Sequence, residues 1–312
     1  MNLFGTVLTY AAPSANYRGE SEENRTVIQK IAYGRFEYPI ISPEAVRNAL
    51  RETLASYQDE EMPCNRSRLH DESQLAVEFK DYPDPDQFVD DFFFGYLVAA
   101  GGTDRKKIEA EIEKKRGKDA KFQFKRDSIF RMNLAKGIEP YRNSVVFTQS
   151  PLTSEASPWK NAKTSALLHR ETVLTAFQYP FALNLEDCRA KPKWTKSLLK
   201  AIGELNQVAG NHARSYFEMS PASIVLRLTE SLVAGYDTYG FDTSGSFPEV
   251  LDGIRKGDYP GSEFHFGGKL VKEMEADEAE ELRKLGVTLD RDPRRLLSAV
   301  GELAFPTKKK GS

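Results

Sequence analysis

Apolar and polar positions along this chain change period repeatedly, which predicts short strands interrupted by a few helices. Leu3 to Tyr10 (LFGTVLTY) has the β-branched and aromatic content of a strand. Ala11 to Glu23 is small, polar and turn-rich, a loop, and Asn24 to Ile31 reads as a second strand. From Tyr38 to Arg51 the chain gives a strand end, a stop and a well-signalled helix. Ser42 suits the N-cap and Pro43 the first helical position, with Glu44 in the first turn. Val46, Ala49, Leu50, Thr53, Leu54 and Tyr57 then fall on one buried face. Arg47 and Arg51 lie four apart on another side. That pair is either a solvated face with Glu44 as partner, or a phosphate rail at a helix beginning.

Further along, Pro85 to Ala100 (PDQFVDDFFFGYLVAA) predicts a helix with adjacent aromatic lines, ended by Gly101-Gly102, and its stripe reads as core. Asp104 to Arg116 is a solvated helix or a tether. Ser144 to Thr148 and the stretch resuming at Leu167 are strands flanking a Ser-, Thr- and Pro-rich arm that carries Trp159, which suggests a projecting hairpin. Thr172 to Leu185 is a buried strand interrupted near Tyr179-Pro180, where proline implies an edge or a bulge. Trp194 to Val208 is an amphipathic helix ending at Gly210, and Ile224 to Thr229 is another strand. Two helices close the chain, one acidic with Leu282 and Leu285 and stopped by Gly286, the other with Asp292 as cap before Pro293.

At 312 residues the chain calls for one large domain with insertions, or for two domains. No apolar run reaches the roughly 18 residues of a membrane span, and Met1-Asn2-Leu3-Phe4 has no basic signal-peptide start. Cys64 and Cys188 fit no metal or redox motif, so cytoplasmic residence is expected. The net charge of −2 conceals polarisation. Gln58 to Asp91 holds eleven acidic residues against three Lys or Arg, whereas Lys114 to Arg142 holds ten basic against three acidic. Such a localised basic block points to an anionic partner. Within it, Lys121 to Asn133 (KFQFKRDSIFRMN) interleaves cations with aromatics, suited to phosphates and stacked bases or, equally, to a strand with Phe inward and cations outward.

No recognised catalytic, metal or phosphate-loop motif is present: Gly267-Gly268-Lys269 runs into Leu270, and the acids from Asp81 to Asp91 lack the glycine of a calcium loop. His70, His169, His212 and His265 build no convincing constellation, and no cofactor is expected. The motifs at Tyr38–Arg51, DDFFFGYL, FKRDSIFR, HRETVLTAFQYPFAL and GNHAR, in this order, resemble the DevR-type backbone subunit of type I CRISPR surveillance complexes (Cascade), nearest the I-B branch and within the RAMP superfamily. The resemblance implies an α+β fold: a ferredoxin-like (RRM-like) palm in 1–57 and 143–312, a fingers insertion in 58–142 and a thumb hairpin in 148–170. It implies RNA contacts from Ser42, Arg47 and Arg51 on the palm helix and from Lys125, Arg126 and Arg131 in the fingers. Trp159, Lys163, His169 and Arg170 would contribute from the thumb, with Leu152 or Trp159 as a base-displacing wedge. Gly210, Asn211, His212 and Arg214 would lie beside the same RNA. The implied partners are CRISPR RNA, a target DNA strand, further copies of the chain and other Cascade subunits, with no membrane. The alternative within the superfamily is a ribonuclease, needing a loop acid such as Glu20, Glu22 or Glu23 or an acid–base such as His70 or His169.

Overall fold

The computed structural model describes residues 1–22, 25–66, 77–118, 121–149, 152–158, 167–206, 208 and 216–306. In chain order the first elements are β1 (Asn2–Thr9), β2 (Ala12–Ser14), β3 (Tyr17–Glu22), β4 (Arg25–Ile28), β5 (Lys30–Tyr33), β6 (Phe36–Ile41) and α1 (Pro43–Ser56). Then come α2 (Val89–Phe94), β7 (Tyr96–Leu97), α3 (Gly102–Arg116), β8 (Lys125–Arg126), β9 (Phe130–Met132) and β10 (Ala135–Gly137). They are followed by β11 (Val145–Gln149), β12 (Leu167–Glu171), β13 (Val173–Thr175), β14 (Phe177–Asn184), α4 (Pro192–Gly203) and β15 (Pro221–Thr229). The last part holds α5 (Pro248–Lys256), β16 (Phe264–Gly268), α6 (Lys269–Lys272), α7 (Ala276–Lys284), β17 (Thr288–Asp290) and α8 (Pro293–Ala304).

The architecture is mixed α+β around one large sheet of order β17-β16-β15-β1-β14-β10-β6-β5, with β9 also on β14. β1 is central and antiparallel to both β14 and β15. Its residues face both ways into packed layers, which is why the run is apolar nearly throughout. Leu3 and Val7 join Tyr179, Phe181, Ile224 and Leu226 on one face, covered by α1, α4 and α8. Leu8, Val225, Phe264 and Phe266 face the other way, against Phe247, Val250 and Ile254 of the α5 region and Leu282 of α7.

α1 forms as its sequence dictates. Ser42 adopts extended backbone and its Oγ accepts from the Ala45 N–H at 3.2 Å, a cap worth about 1 kcal/mol. Val46, Ala49, Leu50, Thr53 and Leu54 are buried, and Tyr57 closes the last turn. Asp292 likewise caps α8, accepting from the Arg294 N–H at 2.9 Å.

Two expectations are corrected. The stretch Ala11 to Glu23, read as a loop, holds the strands β2 and β3. The helix read over Pro85 to Ala100 is only Val89–Phe94, because Gly95 turns the chain with φ +64°. A Cβ there would come within 2.4 Å of the Arg126 carbonyl oxygen, so only glycine lets the two backbones meet. The aromatic stripe is core, as read: Phe92 packs on Trp194 at 5.7 Å, and Phe94, Phe130 and Phe181 follow one another at 6.1 and 5.7 Å between ring centres. Pro180 stays inside strand β14, opposite Thr6, and the bulge that proline implied is there, with one extra residue on the β9–β10 side. Towards β9 and β10 the ladder skips Tyr179 and Pro180, pairing Phe181 with Met132 and Gln178 with Lys136, so the missing N–H breaks no ladder bond there.

α3 is the solvated alternative foreseen for Asp104 to Arg116, with only Ile112 buried. β9 and β10 lie within 58–142 by number but pair with β14 and β6 in the main sheet. The polar arm is flanked by paired strands: β11 and β12 run antiparallel from Val145↔Glu171 to Gln149↔Leu167. β12 continues into a four-stranded sheet, parallel to β4, with β3 at the far edge.

Candidate nucleic-acid interface

The two arginines of α1 part company. Arg47 is half-buried, has no ion-pair partner among the described residues, and its Nε is enclosed without a hydrogen bond. Arg51 is turned inward with 13% of its side chain exposed, its Nε 3.2 Å from Asp90 Oδ2 at ion-pair distance but without hydrogen-bond alignment. Its guanidinium also stacks 4.9 Å from the Phe94 ring. Burial pulls the Arg51 pKa down, against the opposing attraction of Asp90. The two therefore do not form a rail on one exposed side.

Asp90 and Asp91 organise this corner. Asp90 accepts from the backbone N–H groups of Asn65 and Arg66 at 2.7 and 3.0 Å. Asp91 Oδ2 accepts from Asn65 Nδ2 and from the Asp84 N–H, both at 2.9 Å, and burial pushes its pKa up. Asn65 Oδ1 in turn accepts from the Asp81 N–H at 3.1 Å. Carboxylates so far from water persist only with such partners. Two members of the acidic stretch are thus internal ties between α1, α2 and the loop from 58 to 66.

Lys125, Arg126 and Arg131 come together. They line one cavity of about 780 Å³ with Asn2, Phe4 and Asn184. Arg131 stands opposite Ala182 on the sheet face away from α1, because Phe130 and Met132 take the core side. Lys125 is exposed, and its 3.3 Å pair with Asp127 is between two exposed groups and so contributes little. Arg126 is half-buried with its guanidinium 5.7 Å from the Phe92 ring. Asp127 and Asp187 also line the groove, so its three cations outnumber its acids by one, and with Phe4 beside them they can take an anionic strand.

On the hairpin, His169 is exposed and meets Phe147 edge-on at 5.3 Å. Strand alternation sends Arg170 to the opposite side, so the two do not converge. Ser42 spends its hydroxyl on the cap. Trp159, Lys163, Gly210, Asn211, His212 and Arg214 lie outside the described residues. Leu152 is exposed. Among the described residues no group of three His, Cys, Asp or Glu could hold a metal ion, and no helix is long and apolar enough to cross a membrane.

Glu171 anchors the base of the hairpin. Its buried carboxylate accepts from the Ile28 N–H at 2.7 Å and the Tyr141 hydroxyl, with Lys30 Nζ at 3.3 Å. Burial alone would raise its pKa, but these donors and the Lys30 charge outweigh it and lower the value below the usual 4.5. A carboxylate with a depressed folded pKa stabilises fully above its unfolded value and loses that contribution as pH falls through the folded value. Acid titration of stability should therefore show a component below about pH 4.5 that Glu171→Gln removes. Unchanged acid titration in that variant, followed by circular dichroism, would contradict this.

Sequence reading missed two sets of residues. Arg66 donates to Asn48 on α1 and flanks Arg51, yet it lies in a stretch whose acidity drew attention instead. Lys136 is ringed by Tyr33, Tyr38 and Tyr239, and the signal for it was the exposed Tyr-Gly-Arg-Phe turn at 33–36.

The fold is similar to that of chains in two solved structures. One solved structure, of a "CRISPR RNA-guided surveillance complex", aligns over 98% of this chain and 100% of its own, with TM-score 0.55 and 10% identity. Another, of a "CRISPR RNA-guided surveillance complex, pre-nicking", covers the same shares with TM-score 0.57 and 12% identity. In sequence, the chain is 29% identical over 295 residues to the CRISPR-associated protein Cas7/Cst2/DevR of Myxococcus xanthus (strain DK1622), spanning 90% of this chain and 91% of that protein. The chain is thus a homologue of a Cas7/Cst2/DevR protein, as its ordered motifs indicated. No protein-family model matches it.

Proposed function

We propose that the chain is a guide-RNA-binding backbone subunit of a type I CRISPR surveillance complex, acting by binding rather than by catalysis. The observation that carries this is the end-to-end relationship to the Cas7/Cst2/DevR protein, which leaves no large part of either chain unaccounted for. The convergence of Lys125, Arg126 and Arg131 on one cavity supports it.

The sheet order supports a ferredoxin-like palm. β1, α1, β9 with β10, β14, α4 and β15 follow in chain order as β-α-β-β-α-β. In space they run β15-β1-β14 and then β9 and β10, with neighbours antiparallel and α1 and α4 packed together on one face. The fingers are then the segment between α1 and β9, and the thumb is the arm carried by β11 and β12. Such a subunit holds RNA by phosphate contacts and shape while base pairing reads the target DNA, and successive copies would line one guide.

Co-expression with a guide RNA and the partner subunits tests the reading. The chain should elute as an elongated assembly whose absorbance at 260 nm relative to 280 nm reports bound RNA. A nucleic-acid-free monomer under those conditions would overturn it.

A further inference from the structure

The hairpin of β5 and β6 turns at Gly34-Arg35, with Gly34 at φ +61°, a left-handed conformation that glycine adopts readily. Its register pairs Tyr33 with Phe36 and Ile31 with Tyr38, so Tyr33, Phe36 and Tyr38 share one face. Lys136 joins that face through its pairing with Ile40. Its ammonium stands 5.7, 5.4 and 5.0 Å from the ring centres of Tyr33, Tyr38 and Tyr239. Tyr33 is 72% and Phe36 46% exposed, and Arg35 lies 5.1 Å from the Phe36 ring. β5 ends the sheet, so among the described residues no further strand covers the hairpin's outer side.

The charge of this face selects its partner. Glu37 is the only acid between Lys30 and Ile41, and alternation sends it to the opposite side, leaving aromatic rings with Arg35 and Lys136. Exposed aromatic rings that each carry a cation on one side match a ligand that is flat and apolar in its bases and anionic in its backbone. The platform also shares a sheet face with the cationic cavity. Lys136 stands opposite Gln178 and Arg131 opposite Ala182, four residues along β14 and so about 13 Å apart. Between them lies the segment whose Phe241 carbonyl accepts from Gln178 and whose Tyr239 hydroxyl donates to the Leu134 carbonyl.

We infer that the β5–β6 hairpin is a stacking platform for single-stranded nucleic acid, separate from the cavity at Lys125 and Arg131. Bases lie on Tyr33 and Phe36, phosphates pass Arg35, and Lys136 fixes the tyrosines from behind. This rests on the RNA-binding reading above and adds a base-contacting surface to it.

The test uses the full-length chain and a fluorescein-labelled single-stranded RNA of mixed sequence, titrated by anisotropy at several salt concentrations. Tyr33→Ala with Phe36→Ala should weaken binding about tenfold or more, since stacking is lost, and leave the salt slope unchanged. Arg35→Ala should lower that slope by about 0.7. Tyr33→Trp keeps a stacking ring and should bind normally, with its fluorescence quenched by RNA beyond any change in the unsubstituted protein. Normal affinity in the double variant, together with no added quenching in Tyr33→Trp, would overturn the platform and leave the hairpin to a protein partner. If the unsubstituted chain binds no RNA, the broader reading fails instead; if it binds while the hairpin variants behave normally, only the platform fails.

Discussion

Replacing Arg51 with alanine is expected to destabilise the chain by about 3–5 kcal/mol, the usual cost of leaving a buried charge without its partner. Asp90 is 2% exposed and would lose its nearest cation, while the Phe94 ring would lose the guanidinium lying against it. A paired apolar replacement, Arg51→Met with Asp90→Leu, should not rescue stability. Asp90 also accepts from the N–H groups of Asn65 and Arg66, and those donors would be stranded in the interior. Urea unfolding followed by circular dichroism measures both effects. Arg47→Ala is the contrast, because Arg47 has no ion pair to lose among the described residues. Its unfolding midpoint should hardly move. A stable Arg51→Ala protein with weakened RNA binding would instead restore Arg51 to the exposed rail.

What the sequence revealed follows the range of the interactions that decide each feature. α1 was legible in detail because its signals are local: Ser42 caps, Pro43 starts, and Val46 to Leu54 keep helical spacing. β1 and β15 were legible because their β-branched and apolar content suits strands packed on both faces. Arg51 was not, since its spacing from Arg47 speaks only of the helix, and its partner Asp90 arrives from a distant turn. The acidic stretch misled for the same reason. Charge counting treats every carboxylate as solvated, whereas Asp90 and Asp91 are 2% and 4% exposed and hold backbone amides. The shortened α2 depended on the Arg126 backbone packing over Gly95, which no local pattern reports. The bulge beside Pro180 was legible, because a missing N–H is a local fact. The basic block fared better, because three of its cations reach one cavity once β9 enters the sheet.

The largest expected effect on binding belongs to that cavity. Lys125→Ala with Arg131→Ala should lower the salt slope of single-stranded RNA binding by about 1.4, roughly 0.7 for each phosphate left without its cation. The weakening should be equal for unrelated RNA sequences, because phosphate contacts position a strand without reading its bases. Stability should be nearly untouched: both side chains are exposed, Lys125 has only the exposed Asp127 as partner among the described residues, and neighbouring Phe130 and Met132 hold β9 in place. Arg126 is the internal control, since its guanidinium lies towards Phe92 and its backbone meets Gly95. Arg126→Ala should cost stability as well as binding. Anisotropy titrations across a salt series, with unfolding measured on the same samples, separate the three residues. An unchanged slope in the folded double variant would place Lys125 and Arg131 on a merely solvated surface and move the search for the RNA path to the far side of the sheet, where Arg47 stands.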